Sequence, residues 1–152
     1  MKANESSMKY LFDPRGVAVI GASQTKGKIG YKVVENIVLG GYKGNIYPIN
    51  PRGGELLGQT VYTSLGDVEG PVDVAMIVVP ATMAYAAVEE CAKKQVKFVV
   101  IITSGFSEVG NAAEERKIAQ FAAANGVRVI GPNVFGIYSA GSSLNATFGP
   151  PD

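Results

Sequence analysis

The stretch Val17-Ala18-Val19-Ile20-Gly21-Ala22-Ser23-Gln24-Thr25-Lys26-Gly27-Lys28-Ile29-Gly30 decides the fold. Its first four residues are apolar and mostly β-branched, which is the length and composition of a buried strand. Gly21 breaks that pattern, and a helical period opens near Ile29. Strand, glycine-rich turn and helix in that order predict a phosphate cradle. Gly21, Gly27 and Gly30 let the backbone approach a ligand closely, and the first unpaired N–H groups of the helix face an anion. The spacing is Gly-x5-Gly-x-x-Gly, longer than the Gly-x-Gly-x-x-Gly of dinucleotide sites. A glycine turn in an α/β domain with no ligand would read the same way.

Downstream, Ile29, Val33, Val34, Ile37 and Val38 recur at three and four residues and predict an amphipathic helix that stops at Gly40-Gly41. A second strand is predicted over 45–50. Pro48 inside it asks for a position where one N–H is not needed. The turn Pro51-Arg52-Gly53-Gly54 follows. Where an NAD-binding fold offers Asp or Glu to the adenosine ribose, this chain offers Asn50 and Arg52. A guanidinium is poorly matched to free hydroxyls and well matched to a phosphate ester. A phosphorylated ribose is therefore favoured, which means NADP or coenzyme A, against the alternative of a solvated arginine in a glycine turn.

The rest of the chain repeats the alternation. A short edge strand is predicted over 59–62, a single turn at 65–68, and a nearly continuous apolar strand over 72–79 that ends at Pro80. A helix over 82–95 carries Met83, Ala84, Ala87, Val88, Cys91 and Ala92 on its inner face. The strand over 98–102 ends in Thr103-Ser104-Gly105. Asn111 can cap a helix with Glu114 and Glu115 in its first turn and Ile118, Phe121 and Ala122 inward. Residues 128–130 form one more strand, closing on Gly131-Pro132-Asn133, and 135–152 is read as extended chain. Strands alternating with helices predict a doubly wound, Rossmann-type α/β fold with a mostly parallel sheet. Its ligand should lie across the carboxyl ends of the strands, where the cradle, Arg52, Pro80, Thr103-Ser104-Gly105 and Gly131-Pro132-Asn133 converge.

Composition narrows the function. Of 152 residues 47% are apolar and 18% charged, as in a folded globular domain, and the length suits one domain. We read 1–9 as a flexible arm, 10–149 as the domain and 150–152 as the start of a linker. The net charge of +1 makes no electrostatic case for nucleic acid or an anionic membrane. Residues 74–88, the longest uncharged apolar run, are too few to span a bilayer and contain Pro80. The single cysteine, Cys91, fits a reducing, cytoplasmic setting. Histidine is absent, so these residues alone build no Ser/His triad, histidine metal site or phosphohistidine. Tyr31, Tyr42 and Tyr47 are scattered and no Tyr-x-x-x-Lys pair occurs, which weighs against an NADP redox site. Glu108 is the one acid near the predicted rim.

Several segments, taken together and in order, resemble the N-terminal CoA-binding domain of the NDP-forming acyl-CoA synthetases, the family of ADP-forming acetyl-CoA synthetase and the succinyl-CoA synthetase alpha subunit. They are Val19-Ile20-Gly21-Ala22-Ser23, Lys26-Gly27-Lys28-Ile29-Gly30, Tyr47-Pro48-Ile49-Asn50-Pro51, Ile102-Thr103-Ser104-Gly105-Phe106-Ser107-Glu108, Gly131-Pro132-Asn133 and Leu144-Asn145-Ala146-Thr147-Phe148. The resemblance implies coenzyme A as the ligand. Gly21, Ala22 and Ser23 to Lys26 (Ser23, Gln24, Thr25, Lys26), with Gly27 and Gly30, would cradle its phosphates, and Asn50 and Arg52 would stand at its adenosine end. Ile102, Thr103 and Ser104 would border the nucleotide and pantetheine, with Pro80 and Gly105 counted as cofactor contacts from their place on the same rim, and Asn133 would sit near the thiol. The succinyl enzymes have a cysteine after that asparagine, whereas this chain has Val134, which implies the acetyl-type branch. In the family an active-site histidine of a later domain carries the phosphoryl group. The resemblance thus implies part of an acid–CoA ligase (ADP-forming), with further domains or a partner subunit supplying the phosphohistidine and nucleotide site. Relatives also include protein acetyltransferases with a synthetase-like region, which leaves a regulatory role open beside the metabolic one. The alternatives from other classes are an NADP-binding redox or sensor domain and an interaction module with an empty cradle.

Overall fold

A computed structural model of the chain describes residues 8–102, 112–131, 136–139 and 144–147. A helical turn over 8–12 leads into β1 (Gly16–Ile20), α1 (Ile29–Leu39) and β2 (Asn45–Ile49). A two-stranded ribbon, β3 (Gly54–Leu56) and β4 (Gln59–Val61), and a 3-10 turn (Leu65–Asp67) come next. The chain continues through β5 (Val74–Ile77), α2 (Ala81–Lys93), β6 (Phe98–Ile101), α3 (Ala112–Ala124) and β7 (Arg128–Ile130), then β8 (Gly136–Ser139) and β9 (Leu144–Thr147). Five strands form one parallel sheet in the order β2-β1-β5-β6-β7. The predicted Rossmann-type architecture is therefore present, with strand order reversing between β1 and β5.

The alternation of side chains along each strand sorts the core into two layers. Ala18, Ile20, Ala75, Ile77, Val99 and Ile101 face Ala84, Val88 and Cys91 of α2 and Ile118 and Ala122 of α3. Val17, Val19, Val74, Met76 and Val100 face Val33, Val34 and Ile37 of α1 together with Leu144 and Ala146 of β9. Strands buried on both faces explain why β1, β5 and β6 read as unbroken apolar runs. The extended chain predicted after residue 135 is the antiparallel hairpin β8–β9, which completes the α1 layer. Asn36, fully buried in α1, donates from Nδ2 to the Thr147 carbonyl at 2.9 Å and ties the two together.

Pro48 meets its expectation. It lies in β2, the edge of the sheet, and its carbonyl accepts from the Tyr62 N–H at 2.9 Å on the outer side, where its own N–H is missing. Three readings need correction. Residues 54–56, where the expected turn over 51–54 runs into residues given no element, form β3, which pairs with β4 around Leu57-Gly58. Met83 and Ile29, placed on inner helix faces by periodicity, are 54% and 42% exposed, each in the first turn of its helix. Leu57 carries φ of +50° and Gly58 +80°, the values of a type I′ hairpin turn that ordinarily recruits Asn-Gly. A leucine there holds about 1 kcal/mol of backbone strain.

Candidate functional site

The loop after β1 does not rise straight off the sheet. A Cβ on Gly21, whose φ is +97°, would lie 2.9 Å from the Val78 carbonyl carbon, so only glycine lets the chain turn so close to β5. The turn leans instead toward β2, where the N–H groups of Gly21 and Ala22 both donate to the Ile49 carbonyl at 3.2 Å. Gly30 serves the same turn from the other side: a Cβ there would lie 2.1 Å from the Gly21 carbonyl oxygen. Gly21 and Gly30 thus give their space to protein packing, and they shape the cradle from behind.

Between this loop and the turn after β2 opens a cleft of about 420 Å³. Its first wall is Ala22, Ser23, Gln24 and Thr25; its second is Asn50, Arg52 and Gly53; Leu56 and Val61 of the ribbon form an apolar floor. Side-chain bonds join the walls. Asn50 Nδ2 donates to the Ala22 carbonyl at 2.7 Å, and Gln24 Nε2 to the Glu55 carbonyl at 3.0 Å. Ser23 Oγ accepts from the Thr25 N–H at 3.0 Å, which leaves the hydroxyl proton to donate outward. Arg52 is exposed, and neither ion pair among the described residues engages it.

The adjoining N-terminus of α1 has Lys28 at its cap position, no side-chain cap and no acid in its first turn. Such an end presents partial positive charge to an anion. Lys26, Gly27 and Lys28 line a second cleft of about 390 Å³ with Ile29, Tyr31 and Lys32. The Lys32 ammonium is held 3.0 Å from Glu35. The cradle loop is the partition between the two clefts.

The structure therefore brings together Ala22, Ser23, Gln24, Thr25, Asn50 and Arg52, with Lys26 and Gly27 on the far side of the same loop. It does not bring in Pro80 or Ile102. Pro80 is exposed as the N-cap of α2 and accepts from the Met83 N–H at 2.8 Å. Ile102 is 4% exposed in the apolar layer beneath α1 and its N–H donates to Ile77. Thr103, Ser104, Gly105, Glu108, Asn111, Asn133 and Val134 lie outside the described residues. Sequence reading missed Gly53, Leu56 and Val61. The signal was the alternation of Leu56 and Val61 with polar neighbours about a two-residue turn, which three-residue strands barely express.

The pKa values of Arg15, Tyr42, Tyr47 and Cys91 are displaced, and these four residues lie outside the cleft lining. Burial pushes the Cys91 thiol and the Tyr42 hydroxyl far up, and Tyr42 donates to the Pro14 carbonyl at 2.5 Å in a structural role. Among the described residues no group of three or more acids or cysteines is placed to hold a metal ion, and no helix is long and apolar enough to cross a membrane. The arrangement offers hydrogen-bond donors and partial positive charge of the kind that suits an anion.

The chain is similar to known proteins. The ADP-forming acetate–CoA ligase of Methanocaldococcus jannaschii is 48% identical over 148 residues, which cover 97% of this chain and 21% of that protein. The alpha subunit of ADP-forming acetate–CoA ligase I of Pyrococcus furiosus is 46% identical over 96% of this chain and 33% of its own length. Among solved structures, the dinucleotide forming acetyl-coenzyme A synthetase 1 of Ca. Korarchaeum cryptofilum, in complex with phosphate and ADP, superposes with a TM-score of 0.91 at 46% identity, covering 95% of this chain and 31% of that one. The chain thus spans between a fifth and a third of the length of these curated relatives. The family model described as a CoA binding domain matches residues 15–140, and this chain, with its five-stranded parallel sheet, belongs to the CoA-binding domain family.

Proposed function

We propose that this chain is the coenzyme A-binding part of an ADP-forming acyl-CoA synthetase, in which CoA sulfur attacks an acyl phosphate. The observation that carries the reading is the joined cleft: the Ala22–Thr25 loop and the Asn50–Gly53 turn face one another across about 420 Å³, a volume suited to the nucleotide portion of a cofactor. The fit is chemical as well as spatial. Backbone N–H groups of the Ser23–Gly27 loop, the Ser23 hydroxyl and the uncapped end of α1 suit a pyrophosphate. The Arg52 guanidinium suits a phosphate on the ribose, and Leu56 and Val61 offer apolar surface to a base. The work of these residues is positioning and neutralisation of charge, not acid–base chemistry. Thr103, Ser104, Gly105 and Asn133 are assigned the pantetheine and thiol end by the resemblance of their segments, and Val134 the acetyl-type branch.

None of the 152 residues is histidine, so the phosphoryl carrier of this reaction and its nucleotide site lie in further domains or a partner subunit. The setting assigned is cytoplasmic. Thermal unfolding of the chain with coenzyme A, NADP and ADP side by side tests the reading. At a hundredfold excess over Kd a specific ligand stabilises by about 2.7 kcal/mol. Coenzyme A is expected to give such a shift and NADP to give little. Protection by NADP and not by coenzyme A would replace this reading with a redox or sensor domain, and no protection by any of them would leave an interaction module.

A further inference from the structure

Asn50 lines the cleft, and each of its polar groups is already bonded to the fold. Its N–H donates to the Tyr62 carbonyl at 2.9 Å and its carbonyl accepts from Gly53 N–H at 2.9 Å. Its Nδ2 donates to the Ala22 carbonyl at 2.7 Å, and its Oδ1 accepts from the Arg52 N–H at 2.8 Å. One residue thus touches the ribbon, the cradle loop and the arginine turn.

The sequence around it shows why. Asn50-Pro51-Arg52-Gly53 places asparagine, proline and glycine at the first, second and fourth positions of a β-turn, the residues that a type I turn favours there. The Gly53-to-Asn50 bond closes that turn, and the bond from Arg52 N–H to Oδ1 is an Asx-turn within it. Arg52 occupies the third position. Its backbone is therefore fixed by its asparagine neighbour, while its long side chain is exposed and paired with neither carboxylate of the described ion pairs. A guanidinium reads a phosphate only if its base is placed correctly.

We propose that Asn50 is a positioning residue which gives the site its preference for a phosphorylated ribose, by holding the Arg52 turn against the cradle, and that it is not itself the ribose ligand. The proposal rests on the coenzyme A reading above. It separates from that reading because it concerns preference, not binding as such.

The test is calorimetric titration of the chain with coenzyme A and with 3′-dephospho-coenzyme A. The wild-type chain is expected to prefer coenzyme A by about tenfold or more, the yield of a charge-assisted contact to phosphate. Arg52→Ala should collapse the ratio toward one. Asn50→Ala should collapse it by a similar factor, and the double variant no further, because both remove the same contact. Asn50→Ser should keep only part of the preference, since a serine hydroxyl still accepts from the N–H two residues on but is too short to tie the turn to Ala22. Asn50→Gln, whose extra methylene carries the amide away from the Arg52 N–H, should behave as Asn50→Ala and serves if the alanine variant does not fold. A merely structural loss would weaken both ligands equally and leave the ratio alone. An Asn50→Ala or Asn50→Gln chain that keeps the wild-type ratio, or an additive double variant, overturns the proposal. Wild-type chain that binds neither ligand overturns the function reading beneath it.

Discussion

Alanine in place of Gly30 is expected to lower the stability of the domain by about 2–3 kcal/mol, the range of an overpacked core site, and to weaken ligand binding with it. The new Cβ would lie 2.1 Å from the Gly21 carbonyl oxygen and 3.2 Å from the Ala22 Cα. Both are backbone atoms that no rotamer change can move. Two effects compete at this position. Alanine is favoured over glycine in a helix by about 1 kcal/mol, but the contact forces the first turn of α1 off the cradle, and that cost is larger. Urea unfolding of Gly30→Ala and Gly30→Val should show falling midpoints in that order, with valine the worse. For a domain whose total stability is about 5–15 kcal/mol, the valine variant approaches loss of the native state. A neutral Gly30→Ala chain would mean that α1 does not abut the Gly21 turn.

The second large effect belongs to the opposite end of the sheet. Asp73 is 1% exposed at the start of β5 and accepts from Arg15 three times: from its N–H at 2.8 Å, its Nε at 3.0 Å and its Nη2 at 2.8 Å. The Arg15 guanidinium also lies 5.1 Å from the centre of the Tyr10 ring. Arg15→Ala strands a buried carboxylate with only a backbone donor, and about 3 kcal/mol should be lost. Asp73→Asn should cost less, because the remaining guanidinium is half exposed and can be hydrated. The hydrogen bond to Asp73, opposed by desolvation, raises the arginine pKa above its ordinary value. A raised cation pKa contributes stability in full below the unfolded value and loses it only as pH climbs through the folded one. This contribution is therefore flat across the neutral range and fades only in strong alkali. Because the pair sits at the amino ends of the strands, Arg15→Ala is expected to leave the affinity of the folded chain for its ligand unchanged, in contrast to Gly30→Ala. Chemical denaturation and titration calorimetry on both variants check the two halves of that contrast.

The sheet was legible in the sequence because a parallel strand buried on both sides writes itself as a continuous apolar run. Val17 to Ile20, Val74 to Ile77 and Phe98 to Ile101 are all of this kind. Pro48 announced an edge for an equally local reason. The ribbon β3–β4 was not legible: each strand is three residues long, Glu55 interrupts the pattern, and the turn holds Leu57 where an asparagine would have signalled a hairpin. At the site, glycine spacing and Arg52 pointed to the two loops that line the cleft. What they could not convey was which polar atoms are already taken. The sequence names Asn50 but does not show that its amide is bonded to Ala22 and Arg52, contacts set by how the second strand pairs beside the first. Nor does the sequence show that the Ile102 side chain is buried, which the packing beneath α1 brings about.

The central claim is that coenzyme A lies between the cradle loop and the arginine turn. Amide NMR shifts recorded while the chain is titrated with coenzyme A test it residue by residue. The account predicts the largest movements at Ala22 to Thr25 and at Arg52 and Gly53, with Asp73 and its surroundings still. Movements confined to the outer edge of β2 and β4, or none at saturating ligand, would contradict it.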